Sequence, residues 1–181
     1  MIDSASQLNR LADHIPALRR YARVLSRDGR DAEDLVQDAL LRAVDRLRAQ
    51  SDVISMKAWL FTILHNLFVS RLRKAQVRRL DISLDDEDTV QPETAPNQED
   101  ALRWRDLLRG FDTLPDDQRQ VLLLVAVEGL AYAEVASVLD IPIGTVMSRL
   151  SRGREKLRQL MEGDSRPDGR PDMRPELRRV K

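Results

Sequence analysis

Within residues 129–154 the chain reads Gly129-Leu130-Ala131-Tyr132-Ala133-Glu134-Val135-Ala136, then Asp140-Ile141-Pro142, then Gly144-Thr145-Val146-Met147-Ser148-Arg149-Leu150-Ser151-Arg152-Gly153-Arg154. The order is short helix, tight turn, basic helix, so the run from Leu114 to Leu160 is predicted to be a helix-turn-helix. On a wheel of about 100° per residue, Val146, Leu150, Gly153 and Leu157 share one narrow arc and should face the rest of the domain. Ser148, Ser151 and Arg152 point away from it. Thr145, Arg149 and Lys156 flank that outward arc on one side, with Met147, Arg154 and Arg158 on the other. Between Ile143 and Arg158 five Lys or Arg stand against Glu155 alone. A basic helix face can be merely solvated. Here, however, Gly144, Thr145 and Ser148 keep the helix start slim, as a helix entering the major groove N-terminus first requires. The segment is therefore predicted to bind DNA.

The 181 residues allow one domain or two small ones, and 42% apolar with 33% charged residues suits a soluble, helix-rich chain. The complete lack of cysteine excludes disulfides, thiolate metal sites and a cysteine nucleophile. No stretch is long enough to span a membrane, and the N-terminus has no basic start followed by an apolar core. A cytoplasmic protein without direct membrane contact is expected. No metal-ligand cluster, nucleotide loop or nucleophile-base pair is visible, so neither a cofactor nor an enzymatic activity is predicted.

The formal net charge is zero, yet its distribution is uneven. Residues 1–80 hold 15 basic and 9 acidic side chains, residues 81–101 hold 8 acidic and no basic ones, and residues 102–163 balance at 9 and 9. The acidic strip carries Pro92 and Pro96 and lacks any helical apolar period, which makes it a flexible linker over residues 81–99. It separates a domain at 1–80 from one at 100–162. The tail at 163–181, rich in Arg, Asp and Pro, cannot pack a core and is expected to be disordered.

The N-terminal half reads as helices throughout. Leu8, Leu11, Ile15, Leu18, Ala22 and Leu25 form a stripe at helical spacing, in which Pro16 begins or kinks the helix. Asp28-Gly29-Arg30 reads as a turn. Asp31 then reads as the N-cap, with Asp34 in the first turn, of a helix whose inner face is Leu35, Ala39, Val44 and Leu47. A loop from about Arg48 to Ser55 leads to a long helix. Its inner face is expected to hold Trp59, Leu60, Ile63, Leu64, Leu67, Phe68 and Leu72, and its basic end Arg71, Arg73, Lys74, Arg78 and Arg79. Trp59 lies on the apolar stripe and reads as core. His65 and His14 read as polar residues on helix surfaces. With no strand signal anywhere, the fold class is all-α, as two small helical domains.

Asp31-Ala32-Glu33-Asp34-Leu35-Val36-Gln37-Asp38, then Trp59-Leu60-Phe61-Thr62-Ile63-Leu64-His65-Asn66, then the helix-turn-helix run closely resemble the extracytoplasmic-function (ECF) sigma factors of bacterial RNA polymerase. The resemblance covers residues 8–80 (the family's region 2) and 100–161 (its region 4). It implies a promoter-specific initiation factor whose partners are core RNA polymerase (clamp coiled coil and flap), promoter DNA and an anti-sigma factor. Carried over by position, polymerase binding falls on Asp34, Gln37 and Asp38. The loop Asp52, Val53, Ile54, Ser55 and Met56 matches the segment that receives a base flipped from the -10 element, with His65 and Asn66 nearby and Asn66 at a reading position. Arg71, Arg73 and Lys74 suit phosphate contacts there. Recognition of the -35 element falls on Thr145, Met147, Ser148, Arg149, Ser151, Arg152 and Lys156.

The chain departs from the family pattern in three places. Met56 stands where an aromatic is often found, Met147 where most relatives carry Lys or Arg, and Ala131 where a capping Ser or Thr is usual. Glu134 keeps the other half of that capping box. Two rival readings compete. A response-regulator-type helix-turn-helix does not account for Asp34 to Asp38 or the Trp59 helix. A sigma mimic that sequesters an anti-sigma factor need not keep a basic recognition helix, and it is expected to carry a receiver domain as well.

Overall fold

The computed structural model describes residues 10–26, 28–49, 55–79 and 107–163, and every regular element among them is helical. The N-terminal half holds α1 (Ile15–Ser26), α2 (Gly29–Ala49) and α3 (Met56–Arg79). The C-terminal half holds a helical stretch at 107–112, then α4 (Asp116–Leu122), a π-helical segment (Leu123–Val127), α5 (Tyr132–Leu139) and α6 (Ile143–Gly163). The acidic strip at 81–99 and the tail at 164–181 lie outside the described residues, as does Leu8.

Pro16 sits in the first turn of α1, where its missing N–H breaks no helical bond, so it starts this helix and does not kink it. Behind it Ala17, Leu18, Tyr21, Ala22 and Leu25 are buried. The start of α2 differs from the sequence expectation. The amide of Arg30 donates to Asp28 Oδ1 at 2.7 Å and that of Ala32 to the Asp28 carbonyl at 3.0 Å, so Asp28 is the cap. Gly29 and Arg30 therefore form the first helical turn, and Asp31 stands within it, complementing the helix dipole. The helix also continues through Arg48 to Ala49. Its inner face gains Ala32, Val36 and Ala43, while Val44 is only partly buried.

Helix α3 buries Leu60, Phe61, Ile63, Leu64 and Leu67, and Tyr21 meets Phe61 edge-on with ring centroids 5.3 Å apart. Leu72, expected inside, is 48% exposed. Every residue from Leu72 to Gln76 is exposed, so this end of α3 projects past its neighbours and no inward face remains there.

In the C-terminal half Arg119 is buried, donates to the Asp112 carbonyl at 3.2 Å and pairs with Asp116, tying the 107–112 helix to α4. Asp140 at φ 52° and Gly129 at φ 68° make the two sharp reversals around α5. Val146, Leu150 and Gly153 are buried and Leu157 packs partly against the core, the arc that the wheel selects. The two halves also touch directly: α1 meets α4, α3 meets α5, and their buried side chains form one continuous cluster.

Candidate nucleic-acid interface

Helix α6 presents its outward arc freely. Met147, Ser148, Ser151 and Arg152 are exposed, Arg149 is partly buried and Thr145 half-buried. Ser148 Oγ donates to the Thr145 carbonyl at 3.1 Å. Arg152 folds back one turn, its Nε 3.2 Å from the Ser148 carbonyl and its Nη2 3.3 Å from Ser148 Oγ. The guanidinium fork is thus held over the helix face, in the planar, multi-donor form that suits a guanine edge.

Two neighbouring cations are braced. Arg149 Nε lies 3.0 Å from Asp117 Oδ2 on α4, and Lys156 Nζ donates to the Thr113 carbonyl at 3.3 Å. Arg149 is drawn toward α4 and Lys156 toward the turn before it, leaving Arg152 as the exposed cation in the middle of the arc. Beside the arc, Tyr132, Met147, Leu150, Ser151, Arg154, Glu155 and Arg158 line an open groove between α5 and α6. Glu155 is bonded by Arg158 and Gln159, which hold its carboxyl below the usual range.

On the other half, Asp34, Gln37 and Asp38 are exposed on one face of α2. Asp38 Oδ2 is 2.6 Å from Arg71 Nη2 on α3, so one docking candidate and one DNA candidate share an ion pair. Asn66, Arg73 and Lys74 are exposed, whereas the side chains of Arg78 and Arg79 lie outside the described ones.

The -10 segment is placed differently from the expectation. Asp52, Val53 and Ile54 lie outside the described residues. Met56, expected at the flipped-base site, is buried at 6% exposure. Ser55 caps α3 by accepting from the Ala58 amide at 3.4 Å and also bonds the Glu134 side chain on α5. His65, expected as a polar residue on a helix surface, is partly buried. Its Nδ1 lies 3.0 Å from Tyr21 Oη, the two rings stack, and burial pushes its pKa down. Tyr21 itself is driven above the ordinary phenol range by burial. The local reason is that position 65 is turned onto the buried Tyr21, whose ring in turn meets Phe61.

Glu134 keeps its half of the capping box: the Ala131 amide donates to Glu134 Oε2 at 2.9 Å, while Ala131 has no acceptor to return. Ser55 and then the Ala131 amide hold the Glu134 carboxyl below its usual range. Sequence reasoning missed Glu128, which is 4% exposed. The signal was present as a single acid closing the apolar run Val121 to Val127. Its partners, Arg20 and Lys57, could not be read from spacing.

No group of three or more His, Cys, Asp or Glu that could hold a metal is found among the described residues, and none of their helices is long and apolar enough to cross a membrane.

Residues 104–157 match the model of sigma-70 region 4, and residues 11–65 match that of the sigma2 domain of PhyR. The ECF RNA polymerase sigma factor EcfG of Rhodopseudomonas palustris is 38% identical over 153 residues, covering 83% of this chain and 82% of that protein. The ECF RNA polymerase sigma factor SigE of Mycolicibacterium smegmatis is 35% identical, over 82% of this chain and 58% of its own length. Among solved structures, the sigma factor RpoE of Bartonella quintana, in complex with the anti-sigma factor NepR, superposes with a TM-score of 0.72. It has 33% identity and covers 88% of this chain and 98% of its own.

Proposed function

The chain belongs to the ECF sigma factors of bacterial RNA polymerase, and we propose that it binds core polymerase, directs it to promoters with paired -35 and -10 elements, and is held by an anti-sigma factor. The observation that carries this reading is the exposed Ser148, Ser151 and Arg152 arc on a helix-turn-helix, in a chain whose N-terminal half displays Asp34, Gln37 and Asp38 on α2. In this reading α2 docks on the clamp coiled coil, the C-terminal half meets the flap, and α6 enters the major groove at -35. Asn66 reads the -10 element together with the segment 52–55, and Arg71, Arg73 and Lys74 hold phosphates. His65 positions α3 through Tyr21. The polymerase supplies the chemistry, so the chain itself is no enzyme. Control by an anti-sigma factor is supported by the NepR complex of the RpoE relative.

A second reading is favoured by the match of residues 11–65 to the sigma2 domain of PhyR. It is a sigma-like decoy that binds an anti-sigma factor and never DNA. The basic, exposed recognition helix favours the first. Run-off transcription with purified core polymerase separates them: promoter-dependent transcripts are expected, and their absence with a chain that still binds an anti-sigma factor would establish the decoy.

A further inference from the structure

Along α6, Met147, Ser151, Arg154 and Arg158 recur about one turn apart and form one wall of the open groove that Tyr132 of α5 closes on the other side. One end of the groove is apolar: Met147 and Tyr132 are 48% and 37% exposed over the buried Leu150. The other end is charged. Arg154 pairs with no acid among the described residues, whereas Glu155 Oε1 accepts from Arg158 Nη2 at 2.8 Å and from Gln159 Nε2 at 2.7 Å. A carboxylate keeps lone pairs for a further donor beyond those two. The groove thus offers an apolar seat with a cation and an anion in line with it.

The sequence past Gly163 carries a matching pattern. Residues 165–176 are a four-residue repeat, Ser165-Arg166-Pro167-Asp168, Gly169-Arg170-Pro171-Asp172 and Met173-Arg174-Pro175-Glu176. Even positions alternate Arg and acid, while odd positions from 167 run Pro, Gly, Pro, Met, Pro, Leu. In an extended backbone that alternation puts both signs of charge on one edge and apolar groups on the other. Arg and acid cancel within the repeats, so the segment is a poor ligand for a phosphate backbone and a good one for a surface bearing both signs.

We propose that the segment 170–175 folds back into this groove, its apolar edge on Tyr132, Met147 and Leu150 and its charged edge along Arg154 and Glu155, and is displaced when DNA binds. The consequence for DNA rests on the sigma-factor reading above, in which Met147 and Ser151 belong to the -35 face. The reach fits. A reversal takes about four residues, so 164–167 turn the chain. Residues 168 and 169 then cover the return from Gly163 to Arg158, about 7 Å of helix at about 1.5 Å per residue. From Arg158 to Met147 the helix rises about 16 Å, which is about five extended steps at about 3.3 Å each. The segment 170–175 has that length. A tether this short also holds it at about millimolar effective concentration, above that of any second copy in dilute solution.

The full chain has no cysteine, so a nitroxide on Leu177→Cys labels the tail alone. With the segment seated, the label lies by the start of α6 and should broaden the amide signals of Tyr132 and Met147 more than that of Met161, equally at every protein concentration. A tail sweeping freely from Gly163 reverses that order, and broadening that grows with concentration comes from a second copy; either result would overturn the proposal. Pro171→Gly/Met173→Ser/Pro175→Gly keeps every charge and removes the apolar edge. In that variant the broadening pattern should be lost, and affinity for promoter and unrelated duplexes should rise about threefold or more as the open fraction grows. A fall in affinity would assign the tail to DNA instead, and equal affinity would refute the masking. Broadening as expected in a chain that supports no run-off transcription with core polymerase would keep the docking and overturn the sigma-factor reading.

Discussion

Asp38 and Arg71 face each other across α2 and α3 with Oδ2 and Nη2 2.6 Å apart, so a residue assigned to polymerase docking is braced by one assigned to DNA. Both side chains are about half exposed, and such a pair is worth no more than about 1 kcal/mol of stability. Removing it therefore does not unfold the half that carries it, and loss of binding can be read as loss of contact.

Gln37→Ala/Asp38→Ala should lower core-polymerase affinity at least tenfold, at a folding cost below about 1 kcal/mol. Arg71→Ala breaks the same ion pair and should leave core affinity within about twofold. Fluorescence anisotropy with labelled chain reads both. An equal loss in the two variants would place the effect in the ion pair and not in the docking face.

Ala131 is the N-cap of α5 at φ -65° and ψ 151°, an extended geometry that a serine adopts without strain. Its amide is already bonded by Glu134, and the reciprocal acceptor is missing. Ala131→Ser should raise unfolding stability by about 0.5 to 1 kcal/mol in urea titration. A fall in the midpoint would show that the hydroxyl finds another partner.

A Cβ on Gly153 would stand 2.7 Å from Leu122 Cδ1 and 3.4 Å from Gln118 Cβ, where α6 crosses α4. Alanine gains about 1 kcal/mol in helix propensity, while overpacking a core contact costs about 1 to 3 kcal/mol. Gly153→Ala should therefore be neutral to destabilising by about 2 kcal/mol, and Gly153→Val worse. Thermal unfolding checks the order; a gain in both would mean that Leu122 swings clear.

His65 is held below the ordinary histidine value by burial, and His14 is shifted the same way, by burial first and then by Lys57. For such groups the unfolded chain binds the proton more readily. Their contribution is complete above about pH 6.5 and is lost as pH falls through the folded-state values. The melting temperature should drop between about pH 7.5 and about pH 5.5, and His65→Asn should shallow that drop without abolishing it, because His14 remains. A melting temperature that is flat over this window would exclude both histidines as its cause.

The periodic parts of this molecule were legible because periodicity is local. Val146, Leu150 and Gly153 fall on one arc in any α-helix, and so do Leu35 and Ala39. Features that depend on distant chain were not legible. Arg20 and Glu128 are 108 positions apart, and nothing in the spacing of either announces the other. Leu72 kept its place in the apolar period but lost its partner surface where α3 outruns the bundle. His65 sat beside Asn66 on a side of its helix that reads as polar and came to rest on Tyr21, a contact set by how α1 crosses α3. Asp28 took the capping role from Asp31 because the chain turns helical three residues sooner than the apolar stripe requires.

Recognition of the -35 element is expected to turn on Arg152 as Ser148 positions it. The Arg152 fork lies 3.2 and 3.3 Å from the Ser148 carbonyl and hydroxyl, an arrangement that limits its rotamers before DNA arrives. Arg152→Ala should cost about 1 to 3 kcal/mol on a preferred promoter duplex and much less on an unrelated one. Ser148→Ala should cost less in the Arg152→Ala background than alone, since the two act as one unit. Lys156, drawn toward the Thr113 carbonyl, is placed for phosphate, so Lys156→Ala should weaken both duplexes alike and reduce the salt slope by about one. Met147 is 48% exposed beside the same arc, and Met147→Arg should raise affinity for both duplexes and steepen the slope. Titrations of the two duplexes at several salt concentrations give all four numbers. Equal losses for Arg152→Ala on both would move it from base reading to phosphate holding and leave Ser148 without a specificity role.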